Sequence, residues 1–203
     1  MNCPNFATEE KLYSDRYKFI AGVDEVGRGC IAGPVVAAAV ILDPYNIPLG
    51  INDSKKLSAV KRSALYEVII KSTKAFAVCS ICAAEIDKLN IRRASLLAMK
   101  KAVLLLGIEA DYIIIDGLDE IPNISKKQEA IIKGDAKSFS IAAASIVAKV
   151  TRDNIMQNLA RNYPQYGFLS HVGYGTKQHR EAIKKYGALA KIHRYSFAPI
   201  KTS

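Results

Sequence analysis

Phe19-Ile20-Ala21-Gly22-Val23-Asp24-Glu25-Val26-Gly27-Arg28-Gly29 is an apolar run that ends in two adjacent carboxylates and a glycine-bracketed arginine. It reads as a buried β-strand feeding a site. Neighbouring side chains of an extended strand face opposite ways, so Asp24 and Glu25 share one site only if the chain bends there. Gly27 and Gly29 permit such a bend, because glycine tolerates positive φ and lets backbone N–H groups approach a ligand. Acids for a metal ion thus lie beside bare backbone and a cation for an anionic substrate.

Downstream, Ala32-Gly33-Pro34 breaks the chain and Val35–Leu42 resumes as a second buried strand, closed by Asp43-Pro44. The short connection predicts antiparallel pairing. A polar loop, Asp53-Ser54-Lys55-Lys56-Leu57-Ser58, precedes a helix over about 59–71, with Ser58 as N-cap. A buried strand is expected at about 75–83, followed by a long helix from Glu85 to Gly107 whose inner face carries Ile91, Ser95, Ala98, Ala102 and Leu105. Another helix is predicted from Ser138 to about Arg161, and a basic one over Thr176–Tyr186.

Two further strands end in acids. Asp111–Ile115 runs into Asp116-Gly117, and Gln128–Lys133 runs into Gly134-Asp135. Ligands gather at the carboxyl ends of strands in open α/β sheets, so Asp116 and Asp135 are placed to join Asp24 and Glu25. Four converging carboxylates repel one another unless a cation offsets them. Hard divalent ions such as Mg²⁺ or Mn²⁺ suit all-oxygen ligands, and two of them about 4 Å apart suit phosphodiester hydrolysis.

The 203 residues carry a net charge of +10, and residues 161–203 alone hold eight Lys/Arg against Glu181. Five of the ten tyrosines (Tyr163, Tyr166, Tyr174, Tyr186, Tyr195) lie there too. Basic residues interleaved with aromatics suit phosphate contact and stacking on bases or sugars. The expected organisation is a polar, mobile lead-in over 1–18, an α/β core over 19–160 and a basic C-terminal helical extension over 161–203 of the same domain. No run reaches the ~18 apolar residues of a membrane span. The N-terminus lacks the form of a signal peptide, so a reducing, cytoplasmic setting is expected. Cys79-Ser-Ile-Cys82 has no second pair for a zinc ribbon and no helix start for a redox motif, and reads as strand packing. Gly27-Arg28-Gly29-Cys30-Ile31-Ala32 fits the dinucleotide fingerprint, but Gly33-Pro34 and a β-branched run stand where its helix must open.

Together these stretches resemble the signature of bacterial ribonuclease HII. The resemblance runs through Asp24–Gly29, Ala32–Ala38, Asp53–Ser58, Asp116-Gly117, Lys133–Asp135, Ala143–Asp153, Gly173–Thr176 and His193–Pro199, in the family's order. It implies an RNase H-like fold, with a mixed five-stranded sheet flanked by helices. It also implies metal-dependent cleavage of RNA in RNA–DNA hybrids and incision 5′ of single ribonucleotides in duplex DNA, leaving a 3′-OH. Asp24, Glu25, Asp116 and Asp135 would be the catalytic, Mg²⁺- or Mn²⁺-holding carboxylates. Gly27, Arg28 and Gly29 would sense the ribose 2′-OH, and Tyr174 would stack on the deoxyribose at the junction. Lys55 and Lys56 suit either a phosphate grip or a solvated surface, and Ser145 either a phosphate cap or small-residue packing. Val172 stands where the family usually has lysine, so one phosphate contact is expected to be missing. His171, His179 and His193 receive no role. A monomer is expected, and a non-catalytic nucleic-acid binder is the competing reading.

Overall fold

The stretch from Phe19 forms the middle strand of a five-stranded sheet. The structure, a computed structural model, describes residues 3–52, 54, 55 and 57–200. In chain order these form α1 (Ala7–Ser14), β1 (Ile20–Val26), β2 (Val35–Ile41), α2 (Ala59–Ser72), β3 (Ala75–Ile81), α3 (Ala83–Leu89), α4 (Ile91–Leu104), β4 (Tyr112–Asp116), β5 (Lys127–Ile131), α5 (Phe139–Asn162), α6 (Phe168–His171) and α7 (Lys177–Tyr186). Short 3-10 turns lie at Gly134–Ala136 and Pro164–Tyr166.

The sheet order is β3-β2-β1-β4-β5. β1 pairs antiparallel with β2 and parallel with β4; β2–β3 is antiparallel and β4–β5 parallel. This is the mixed sheet the resemblance implies. Helices cover both faces of its centre. Ala21, Val23, Ala37 and Ala39 pack with Ile86, Ala94, Ala98 and Ala102 of α3 and α4, whereas Ala38 and Val40 pack with Ala142, Ala143 and Val147 of α5. Burial on both faces is why β1 and β2 read as continuous apolar runs. The sheet meets α5 closely at Gly22, where a β-carbon would fall 2.2 Å from the Ser140 carbonyl carbon.

Two helix starts match their caps: Ser58 Oγ accepts from Lys61 N at 3.3 Å, and Ser138 Oγ accepts from Ile141 N at 3.2 Å. The single long helix expected after β3 is instead two. Asn90, at φ +66°, ends α3, and its side chain caps α4 by accepting from Arg93 N at 3.1 Å. Asn competes locally for backbone hydrogen bonds, which overrides the apolar spacing. Ser95, Ala98 and Ala102 face inward as predicted, but Leu105 is exposed. β3 is an edge strand rather than a buried one, with Cys79 half-buried and Cys82 exposed, and both thiols are free.

Within residues 1–18, read as a lead-in, α1 is clasped to the start of α5. The buried Glu9 carboxylate accepts from Ser138 Oγ at 2.6 Å and Ser140 N at 2.8 Å, and Asn5 bridges Lys137 and Phe139 through its backbone. An acid at a helix N-terminus satisfies its unpaired N–H groups and complements its dipole. At the other end of the chain, Asp87 of α3 accepts from the backbone N–H groups of Tyr195 and Ser196, both at 2.9 Å, and so ties down the C-terminal segment.

Candidate active site

β1 stays regular through Val26, so strand alternation puts Asp24 on the α5 side of the sheet and Glu25 on the other. Asp116, two residues beyond Ile114, continues the α5 side of β4, and Asp135 arrives on the 3-10 turn that follows β5. One carboxylate oxygen from each of Asp24, Asp116 and Asp135 lies within 4.8 Å of the others. Glu25 stands outside this group. It pairs with Arg28 at 3.0 Å, and its Oε2 is buried with no hydrogen-bond partner.

Each acid is held by its neighbours. Asp24 accepts from Glu25 N at 2.6 Å and from the Ser145 hydroxyl, which in turn lies 2.9 Å from Ser54 Oγ. Asp116 accepts from Gly134 N at 2.7 Å, and Asp135 pairs with Lys55 at 3.1 Å. Burial pushes the Asp24 carboxyl well above the usual carboxylate range, and the charges of Glu25 and Asp116 push it further. Burial and the charge of Asp135 raise Asp116 as well. Glu25 is raised by burial, with Arg28 opposing. A buried, all-oxygen cluster whose charges resist coexistence fits a hard divalent cation.

The Gly-Arg-Gly turn lies beside this cluster, with Gly27 at φ +95°. Tyr174 reaches it from the C-terminal region: its ring lies 3.9 Å from where a β-carbon on Gly29 would stand, and nearly half its surface is exposed. Ile31 N and Ala32 N both donate to Gly173 O, at 2.9 and 3.2 Å, so the turn and the Tyr174 loop are stitched together. The structure thus brings Asp24, Asp116, Asp135, Ser145 and Lys55 to one place, with Glu25, the turn and Tyr174 at its rim. Lys56 lies outside the described residues.

Sequence reasoning missed two buried arginines. Arg152 of α5 donates from Nε to Pro34 O at 3.0 Å, from Nη1 to Val172 O at 2.9 Å and from Nη2 to Ala32 O at 3.2 Å. Arg194 donates from Nη2 to Gly27 O at 2.7 Å, from Nη1 to Arg28 O at 2.9 Å and from Nε to Gly33 O at 3.0 Å. One signal was available: Arg152 interrupts the inward stripe Ala144, Ala148, Met156 of α5 at four-residue spacing.

The three histidines form a buried cluster behind Tyr174. His193 Nδ1 accepts from Leu189 N at 2.8 Å, so Nε2 carries its proton and faces His179 Nε2 at 3.1 Å. His179 Nδ1 then donates to Tyr174 O at 2.8 Å. His171 Nδ1 accepts from Gly173 N at 3.2 Å, and its Nε2 donates to Tyr166 O at 2.8 Å. Burial lowers the pKa of both His179 and His193 to about 4.

Comparison with known proteins assigns the family. The family model described as Ribonuclease HII matches residues 21–200. The chain belongs to the ribonuclease HII family. It is 51% identical to ribonuclease HII of Bartonella tribocorum over 98% of this chain and 88% of the relative. It is 52% identical to that of Bartonella henselae over 98% of this chain and 89% of the relative. The crystal structure of ribonuclease H2 from Pyrococcus horikoshii is similar at 29% identity with a TM-score of 0.78, covering 90% of this chain and 95% of that one. Membership makes the chain a nuclease of the RNase H type. Among the described residues, no helix is long and apolar enough to cross a membrane.

Proposed function

We propose that this ribonuclease HII cuts the RNA strand of RNA–DNA hybrids and incises duplex DNA on the 5′ side of single embedded ribonucleotides. The observation that carries this reading is the closure of two buried carboxylates and one half-buried one to within 4.8 Å beside a glycine-bracketed arginine turn. Asp24, Asp116 and Asp135 would hold the divalent ions, Mg²⁺ or Mn²⁺ and two in number, with Glu25 completing the set from the opposite face. Ions held there supply the charge that activates a water and stabilises the departing oxygen. Water oxygen bonds to phosphorus, the bond from phosphorus to O3′ breaks, and the products are a 3′-OH and a 5′-phosphate.

The residues around the acids do the selecting. Gly27, Arg28 and Gly29 read the ribose 2′-OH, the group that tells RNA from DNA. Tyr174, half exposed at the rim of the turn, stacks on the adjoining deoxyribose. Lys55 and Lys56 grip phosphate, and Ser145, whose hydroxyl also hydrogen-bonds Asp24, caps a phosphate beside them. The acids come from one chain, so the site asks for no second subunit. This reading sets a monomer to work in the cytoplasm.

The test is an end-labelled DNA duplex with one ribonucleotide, incubated with Mg²⁺, with Mn²⁺ and with chelator, beside an all-DNA duplex. The expected result is a metal-dependent nick just 5′ of the ribonucleotide and an intact control. Binding without a nick under either metal would overturn the reading.

A further inference from the structure

Arg194 is fully buried, yet it lies within ion-pair distance of no carboxylate among the described residues. Burying an unpaired guanidinium is unfavourable unless its N–H groups are satisfied. Here carbonyls satisfy them, and those carbonyls belong to the Gly-Arg-Gly turn and to Gly33. The guanidinium carbon also lies 5.1 Å from the centre of the Phe197 ring, which fixes the plane of the fork.

The direction of those carbonyls has a consequence on the other side of the turn. In a trans peptide the C=O and the N–H of one plane point opposite ways, and the only cis bond among the described residues is Ala198-Pro199. When Arg194 draws the Gly27 and Arg28 carbonyls inward, the N–H groups of Arg28 and Gly29 are turned outward. Among the described residues neither donates to any protein acceptor. Two adjacent N–H groups so aimed form a concavity for an electronegative oxygen.

We propose that Arg194 is a positioning residue for ribose recognition, aiming the Arg28 and Gly29 N–H groups at the substrate oxygen that the turn reads. The inference rests on the 2′-OH reading given above. Lysine keeps the charge at this position but offers a rotating ammonium in place of a planar fork, so it cannot hold the Gly27, Arg28 and Gly33 carbonyls in one plane.

The experiment measures binding in chelator, without turnover, to a duplex with one ribonucleotide and to the same duplex in all-DNA form. One or two hydrogen bonds to the hydroxyl give wild type a preference of about tenfold for the ribonucleotide duplex. Arg194→Lys is expected to cut that preference to less than about threefold while all-DNA affinity stays put, because phosphate contacts dominate it. A loss of folded protein lowers both affinities together and leaves their ratio alone. Phe197→Leu, which removes the ring under the guanidinium, is expected to reduce the preference part-way and serves if Arg194→Lys does not fold. An unchanged preference in the folded variants overturns the role of Arg194, whereas no preference in wild type overturns the 2′-OH reading itself.

Discussion

Acid should unlock the histidine cluster. Each of His179 and His193 has one ring nitrogen donating and one accepting. An added proton therefore meets a donor instead of an acceptor. The His171 ring also stacks on His179 at 4.2 Å and opposes a charge there. With folded values lowered to about 4 and an unfolded value of about 6.5, the unfolded chain takes up protons first. Stability from these rings is complete above about pH 6.5 and is lost as pH falls towards 4. Between about pH 7 and 4.5, one ring taken alone gives up about 2 kcal/mol. The pair loses less than double that, because His179 and His193 share one hydrogen bond. For a domain of this size, 2 kcal/mol is a fall in melting temperature of about 4–8 °C. The raised carboxyls of Asp24, Glu25 and Asp116 act in the opposite sense, since acid relieves their repulsion. A difference measurement separates the two: thermal melts of wild type and His193→Gln, both in chelator, at pH 7 and 4.5. The variant should be less stable at pH 7, and the gap should close by about 2 kcal/mol at pH 4.5. An equal gap at both pH values would refute the argument.

Other expectations concern the acids, the junction and the core. Asp116→Asn keeps an oxygen for the Gly134 N–H and removes a crowded charge, so cleavage should fall about 100-fold or more while the melting temperature holds or rises; near-normal turnover would defeat the carboxylate mechanism. Tyr174→Ala should lose more activity on single-ribonucleotide duplexes than on long hybrids, a difference of about tenfold for one stacking contact; equal losses would remove Tyr174 from the junction. Gly22→Ala drives a methyl into the Ser140 backbone at 2.2 Å, and about 3 kcal/mol or more of stability should go with it; a soluble variant with an unchanged urea midpoint would contradict the close approach of β1 and α5.

Much of the fold was legible because its signals are local. The apolar runs of β1 and β2, the acids closing β4 and following β5, the Ser58 cap of α2 and the start of α5 at Ser138 each lie within a few residues. Asp24, Asp116 and Asp135 could be gathered from three strand ends. Glu25 shows the limit: alternation along an unbent strand sends it to the other side of the sheet, where it pairs with Arg28 while its charge still acts on Asp24. Asn90 was hidden because an apolar stripe runs through it, although its side chain ends one helix and starts another. The arginine forks and the Glu9 clasp were invisible for another reason. Apart from the Ser138 hydroxyl on Glu9, their partners are backbone groups from about 20 to 167 residues away, and backbone groups leave no mark in composition or spacing.

The Glu9 clasp also imposes a schedule on the nascent chain. Glu9 is among the first residues made, but Ser138 and Ser140 lie 129 and 131 residues later. At ribosomal speeds α1 waits on the order of ten seconds for its anchor. The β1–β2–β3 meander, built from antiparallel neighbours, can form in that interval, while β1 keeps one edge open until β4 emerges. A chain stalled just before Gly134 would hold Asp24 and Asp116 but neither Asp135 nor the clasp. Such a truncated product would be inert as a nuclease and, with Leu12 of α1 and Ile114 of the sheet left without Ile141 to cover them, prone to associate with other copies of itself.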